Sequence, residues 1–109
     1  MTRLTTEIWI AAYLTRCRLA NIPVFVVQKG DATAGAVMVK LNTLDGNSVC
    51  FQRSFDILSG ERRWVVLSDG DESEVDLSIG KQRQFDPDLW VIEVEDRQGR
   101  HLLDEPGLD

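Results

Sequence analysis

The sequence is poor in the residue types on which many catalytic and metal sites depend. Its 109 residues include two cysteines and one histidine. Cys17 and Cys50 form no CxxC pair and are too few for a secreted disulfide scaffold, so we expect two reduced core residues. His101 follows the last predicted strand, where a solvated side chain is expected. With the carboxylates of Asp96 and Asp104 nearby but no ligand spacing, we predict no metal site, cofactor or catalytic Cys/His pair.

Long apolar runs and an excess of basic residues are also missing. The N-terminal apolar run, residues 8–14, is short, charged on both sides and followed by no cleavage site, so it is not a signal peptide. Nothing approaches the ~20 apolar residues of a membrane span. With 18 acidic against 12 basic residues the net charge is −6, which disfavours nucleic-acid partners. We therefore expect an acidic cytoplasmic protein that binds neither membrane nor nucleic acid.

What the sequence does contain is typical of one globular domain. Hydrophobic residues make up 43% and charged residues 28%, a balance that argues against disorder. A chain of this length suits a single domain with its own core. We predict one domain over residues 1–109, in which residues 97–109 form a polar C-terminal tail that Leu102, Leu103 and Leu108 can dock.

Local patterns predict two helices and five strands in the order α-β-β-β-β-α-β. Thr5 or Thr6 can cap the first helix, and Asp71 can cap the second. Asp45-Gly46 is a strong hairpin signal. The predicted helices span residues 5–20 and 71–84, and the predicted strands span 24–28, 36–41, 48–53, 63–68 and 89–95.

The strand compositions suggest how these elements stack. Val24–Val27, Ala36–Val39 and Trp64–Leu67 are apolar on both faces, which is typical of interior strands. Residues 89–95 alternate instead, with Glu93 and Glu95 on one face, which favours an edge strand or a strand with one wet face. The fold class is therefore α/β (α+β), with a five-stranded, mostly antiparallel or mixed sheet. We expect the two helices on opposite faces; both on one face is the alternative.

Several segments resemble a known family. They are TTEIWIAAYL, KGDATAGAVMVKLN, FQRSFD, RWVVL and FDPDLWVIEVEDRQGRHLLDE. Together they are similar to the bacterial family catalogued as domain of unknown function 1491, and the likeness runs from Leu4 to the tail. The resemblance implies a small bacterial protein that consists of this domain alone. It implies no activity and therefore no catalytic residues.

Two stretches resemble known functional motifs but lack residues that those motifs need. Residues 30–35 carry the two glycines of a phosphate loop, but they lack the lysine and the following helix that a P-loop needs. A looser anion-binding turn of backbone N–H groups stays open there. Pro87-Asp88 with Glu93 and Glu95 echoes metal-dependent nucleases, but Glu95 occupies the position of their lysine. A helix end and a solvated strand face explain this pattern better.

Two basic residues, Lys40 and Arg53, need an explanation in a protein with a net charge of −6. A two-residue turn at Asp45-Gly46 would set Lys40 opposite Phe51 and would bring Lys40 and Arg53 to one face. Pairing with carboxylates, those of Glu7, Glu93 or Glu95, is the favoured explanation. The alternative is a site for a small anionic ligand formed by Lys40 and Arg53 and completed by Thr33 and Gly35.

The sequence thus leaves two functional hypotheses. In the first, the protein is a non-catalytic interaction module that binds a protein partner or a second copy. The candidate partner surface comprises Trp9 and Trp90, with Glu93 and Glu95 on the last strand. In the second, it binds, or acts as an enzyme on, a small anionic ligand through Lys40 and Arg53. The first hypothesis requires an exposed apolar surface and the second a concave pocket.

Overall fold

A computed structural model describes residues 4–55 and 58–108 and contains the predicted elements in the predicted order. Thr5 caps the first helix by accepting a hydrogen bond from the Ile8 N–H, and Asp71 caps the second by accepting from the Ser73 N–H. The helices are α1 (Thr6–Leu19) and α2 (Glu72–Phe85); the strands are β1 (Val24–Gln28), β2 (Val37–Asn42), β3 (Asn47–Phe55), β4 (Arg62–Asp71) and β5 (Trp90–Glu95).

The five strands form one mixed sheet in the order β1-β5-β2-β3-β4. β5 runs antiparallel to β1 and parallel to β2, and the remaining neighbours are antiparallel. The last strand along the chain therefore lies between the first two. Because parallel strands need a long connection, the chain crosses from β4 back to β5 through α2.

The helices lie on opposite faces of the sheet, as expected. Side chains alternate along β2, so Val39 packs with α1 and its neighbour Met38 packs with α2. The α1 layer is the larger, and the C-terminal segment completes it with the buried side chains of Leu103 and Leu108. The predicted docking of the tail leucines is thus confirmed for these two residues.

Two predictions about strand positions are wrong. β1 and β4, whose runs are apolar on both faces, are the edges of the sheet, whereas β2 is interior as predicted. β5, whose carboxylates suggested an edge, is also interior and is paired on both sides. Its Glu93 is half-buried, and the carboxylate lies 3.5 Å from Lys40 Nζ. A charged side chain therefore did not indicate a solvent-exposed strand here.

Candidate functional sites

The connection between β2 and β3 decides which side chains share a face. Residues 43–46 connect the strands, Asn42 pairs with Ser48, and Lys40 pairs with Cys50. This register differs by one residue from the register that a two-residue turn would give. Because a one-residue shift turns every side chain to the other face, Lys40 faces α2 while Arg53 faces α1. The prediction that Lys40 and Arg53 share a face is therefore wrong.

Lys40 is the centre of a polar cluster between β2, β5 and α2. The residue is only 5% exposed. Its Nζ lies 2.8 Å from Glu72 Oε2, 2.7 Å from Asp76 Oδ1 and 3.5 Å from Glu93 Oε1. Asn42 Nδ2 also donates to Glu72, at 2.9 Å. The favoured explanation, pairing with carboxylates, is therefore confirmed for Glu93, and α2 supplies further partners.

These contacts keep the Lys40 ammonium charged. Burial alone lowers the pKa of a lysine, because it penalises the charged form. Here the hydrogen bonds to Asp76 and Glu72 and the nearby charge of Glu93 outweigh burial, so the pKa of Lys40 lies above its ordinary value. A cation already held by carboxylates has little attraction left for a ligand anion. Lys40 therefore has a structural role, because its ion pairs with Glu72 and Asp76 hold α2 against the sheet.

Arg53 lies on the other face, where its guanidinium packs against two neighbouring indole rings. Its guanidinium carbon is 4.9 Å from the ring centroids of both Trp9 and Trp64. Its Nη2 donates to the Leu108 carbonyl oxygen at 3.3 Å. That oxygen also accepts the indole N–H groups of Trp9 and Trp64, at 3.3 and 3.0 Å. Arg53 therefore holds a fixed position in which its charge is retained.

A cavity of about 770 Å³ opens beside Arg53 at one end of the sheet. Its wall includes Arg53, Arg62, Thr33, Gly35 and Gln52. The structure thus brings together three of the proposed anion-binding residues, Arg53, Thr33 and Gly35, and leaves Lys40 outside. The volume lies within the range of small-ligand sites, roughly 300–1,000 Å³.

The backbone amides near this cavity are already used. The Gly35 N–H donates to the Asp31 carbonyl at 3.2 Å, and the Ala34 N–H donates to Asp31 Oδ2 at 2.8 Å. At the start of α1, the N–H groups of Thr6 and Glu7 donate to carbonyls of the same loop. These four amides are therefore not available to an anion, and a ligand here would depend on side chains.

Gly30 and Gly35 serve packing instead. Neither glycine has a positive φ, so neither is needed for a left-handed backbone. A Cβ at Gly30 would overlap the Asp88 carbonyl, and a Cβ at Gly35 would lie 2.6 Å from the same oxygen. The loop needs glycine because another backbone segment passes against it.

The candidate partner surface on Trp9 and Trp90 is not an exposed surface. Trp9 is 5% exposed and Trp90 is 3% exposed. The Trp90 indole N–H donates to the Asp31 carbonyl at 2.7 Å. Glu93 belongs to the Lys40 cluster, and Glu95 is half-buried with its N–H bonded to the Pro23 carbonyl. Both tryptophans are core residues, which leaves no anchor for a partner at these positions.

An exposed run of consecutive apolar residues lies instead on β1, where the sequence suggested an interior strand. Phe25 is 50% exposed, Val26 42% and Val27 51%. Across residues 4–55 and 58–108, no strand pairs with the outer side of β1. The sequence feature that bears on this surface is the lack of charge in Val24–Gln28. Edge strands are usually protected by charged residues, and this one is not.

The potential nucleophiles are unsuited to reaction. Cys17 and Cys50 are both fully buried and reduced. Burial raises the pKa of the Cys50 thiol to about 12 and also raises that of Cys17. His101 is half-buried: its Nδ1 accepts the Leu103 N–H and its ring packs on Phe51. It is therefore not the solvated side chain that we expected.

No group of His, Cys, Asp and Glu side chains that could hold a metal ion occurs in the described part of the chain. Neither described helix is long and apolar enough to cross a bilayer.

Comparison with known proteins gives one family. The profile described as "Protein of unknown function (DUF1491)" matches residues 4–104. A crystal structure of a DUF1491 family protein from Caulobacter crescentus CB15 is 40% identical, with a TM-score of 0.86 over 95% of this chain and 98% of that one. An NMR structure from the same organism is 39% identical, with a TM-score of 0.84 over 97% of both chains. Protein Atu0922 from A. tumefaciens is 27% identical, with a TM-score of 0.74 over 86% of both. No curated protein matches.

Proposed function

The chain belongs to the DUF1491 family of proteins of unknown function, and we propose that it is a non-catalytic interaction module that binds a protein strand along the open edge of β1. The single observation behind this proposal is the exposure of Phe25, Val26 and Val27 on an edge strand. Natural edges are usually protected by charges, prolines or a covering segment, because unpaired backbone groups invite another strand.

The two edges of the sheet differ in this respect. β4 carries Arg62, Arg63, Asp69 and Asp71, and these charges hinder the approach of another strand. β1 has the sequence VFVVQ, with no charged residue. A strand added beside β1 would gain backbone hydrogen bonds and would cover apolar side chains on both faces, which is the usual mode of β-augmentation.

Photo-crosslinking in cells tests this proposal. A photoreactive phenylalanine analogue replaces Phe25 in one variant and Val66 in the control. Val66 lies on β4 and is 53% exposed, close to the 50% of Phe25. We expect discrete crosslinked species from position 25 that are absent from position 66. Equal crosslinking from the two positions, or none from position 25, would contradict the proposal.

The cavity favours a second candidate function, the binding of a small ligand that carries a phosphate or carboxylate. Arg53 and Arg62 both line it, and Arg53 is held in place by Trp9 and Trp64. A rigid guanidinium loses little conformational entropy when it binds an anion, and it matches planar oxyanions well. This version of the anion hypothesis replaces Lys40 with Arg62.

Arg62 and Arg63 provide a matched pair of variants. Side chains alternate along β4, and Arg63, which is not among the cavity residues, has a 65% exposed side chain beside Glu61. Phosphate, a phosphate monoester and a dicarboxylate would be titrated into the parent protein, Arg62→Ala and Arg63→Ala, with thermal melts as the readout. We expect stabilisation of the parent and of Arg63→Ala, and a clear loss in Arg62→Ala. Equal behaviour of the two variants would contradict a site in this cavity.

A cytoplasmic location is part of the proposal. Cys17 and Cys50 are unpaired thiols, and the reducing cytoplasm keeps thiols in this state. Localisation of a tagged full-length chain by cell fractionation would test it.

A further inference from the structure

The backbone groups that β1 turns outward can be assigned from its pairing with β5. The Glu95 N–H donates to the Pro23 carbonyl at 3.0 Å. Hydrogen-bonded and non-hydrogen-bonded pairs alternate along an antiparallel ladder. Phe25, opposite Glu93, is therefore bonded to β5, whereas Val24 and Val26 direct their N–H and C=O groups away from the sheet.

We infer that the strand which covers this edge is β1 of a second copy, paired antiparallel about a two-fold axis at Phe25. This inference rests on the proposed function and names its partner. Val24 and Val26 of one copy exchange backbone hydrogen bonds with Val26 and Val24 of the other. Phe25 lies opposite itself in a non-hydrogen-bonded pair, where the Cα atoms are about 4.5 Å apart and side chains meet closely.

The sequence Val24-Phe25-Val26 is what makes the strand complementary to itself. Reversing it places valine opposite valine and phenylalanine opposite phenylalanine, so each outward backbone group meets a partner and each apolar side chain meets another. Aromatic and β-branched cross-strand pairs are the favourable ones in sheets. The pairing also ends before the irregularity between Val26 and Gln28, where the β1 register shifts.

Charge opposes this arrangement only at long range, because each chain carries a net charge of −6. Glu93 is the residue paired with Phe25 on the same face, one strand inward. Glu93 of the two copies would be three strand spacings apart, roughly 14 Å. That separation exceeds the screening length of about 8 Å at physiological salt. The long-range repulsion predicts a dimer that is strengthened by added salt.

Disulfide trapping tests the two-fold axis directly. In Phe25→Cys the two introduced thiols would face each other at a Cα separation of about 4.5 Å, within the disulfide range of about 4.4–6.8 Å. The native Cys17 and Cys50 are both 0% exposed and do not compete. Val66→Cys on the other edge is the matched control. We expect Phe25→Cys to give at least about tenfold more covalent dimer, because pairing raises the local thiol concentration.

Sedimentation of the parent chain gives an independent measurement. We expect a concentration-dependent dimer whose dissociation constant rises at least about tenfold in Phe25→Lys, because two lysines would then lie directly opposite each other. Val66→Lys should leave it unchanged. Since Phe25 is half exposed in the monomer, the variant should keep its fold, which circular dichroism and a thermal melt would verify.

The outcomes separate this inference from the proposed function. A monomeric parent chain with no excess disulfide at position 25 overturns the second copy as partner. If photo-crosslinking at position 25 then yields a different protein, the edge remains an interaction surface and only the homodimer is refuted. If it yields nothing, both proposals are refuted.

Discussion

Replacing Lys40 with methionine tests whether its ion pairs fasten α2 to the sheet. Methionine keeps an apolar stem but removes the ammonium that contacts Glu72, Asp76 and Glu93. Removing one partner of a buried ion pair costs about 3–5 kcal/mol. The side chains of Glu72 and Asp76 are 38% and 55% exposed, so water screens the carboxylates left behind. We therefore expect a loss of about 2 kcal/mol in the free energy of unfolding.

Urea unfolding at pH 7 measures this loss, with Lys81→Met as the control because Lys81 is an exposed residue of the same helix. For a domain of this size, 2 kcal/mol corresponds to a decrease of roughly 10 °C in the melting temperature. Lys81→Met should change stability by less than about 0.5 kcal/mol. If Lys40→Met also stays within that limit, the ion pairs do not stabilise the fold and our account of the cluster is refuted.

The pH dependence of the same pair of proteins checks the sign. Folding raises the pKa of Lys40 above its ordinary value of 10.5, so the folded state holds this proton more tightly than the unfolded chain. The contribution is complete below pH 10.5 and is lost as the pH rises beyond it. The stability difference between parent and variant should therefore narrow above pH 11.

Three other results are expected. Gly30→Ala should destabilise the protein by about 2 kcal/mol or more, because its Cβ would overlap a backbone carbonyl. Gly80→Ala lies in open space on α2 and should stabilise the protein by up to about 1 kcal/mol. Urea titrations that give the two variants the same stability would contradict this. Arg53→Met should lower the free energy of unfolding by about 2 kcal/mol in the same titration, because it removes a cation packed against two indole rings and a charged hydrogen bond; an unchanged midpoint would rule this out. Burial raises the pKa of the Cys17 and Cys50 thiols, so both should react with a thiol reagent at pH 8 far more slowly in the folded than in the unfolded protein; fast labelling of the folded chain would show that they are accessible.

Local patterns were sufficient to predict the elements because they depend on neighbours along the chain. Thr5 and Asp71 cap their helices through side-chain oxygens that bond amides two or three residues later. Such contacts are encoded within one turn of sequence. The order of the seven elements and the placement of the helices on opposite faces follow from the same information, since an apolar stripe on each helix must cover one face of the sheet.

Long-range relations were not predictable in this way. Val24–Val27 is apolar on both faces, yet Phe25, Val26 and Val27 stay exposed, so the pattern shows what the strand can bury and not what it does bury. The carboxylate of Glu93 suggested a solvent-exposed strand face. It lies instead 3.5 Å from the ammonium of Lys40, which belongs to the neighbouring strand β2. The partners on α2, Glu72 and Asp76, are distant in sequence from Lys40 and carry no local sign of the contact.

The predicted placement of Lys40 and Arg53 on one face was wrong because the strand register differs by a single residue. The connection from Asn42 to Ser48 is longer than the two-residue turn that Asp45-Gly46 suggests, and Leu44 and Gly46 both adopt positive φ within it. A shift of one residue sends Arg53 to the opposite face from Lys40. Turn dipeptides indicate that a hairpin exists more reliably than they fix its length.

The sheet order constrains how this domain can fold during synthesis. β1 and β2 are made early, but neither can pair with the other in the finished sheet because β5, the last strand to leave the ribosome, must come between them. Until residue 95 has emerged, β1 has no native neighbour in the sheet, and its apolar residues are exposed on both edges. Only the β2-β3-β4 meander can assemble beforehand from strands that follow one another along the chain. Completion of the domain is therefore a late event, and β1 stays open to premature pairing until β5 has been made.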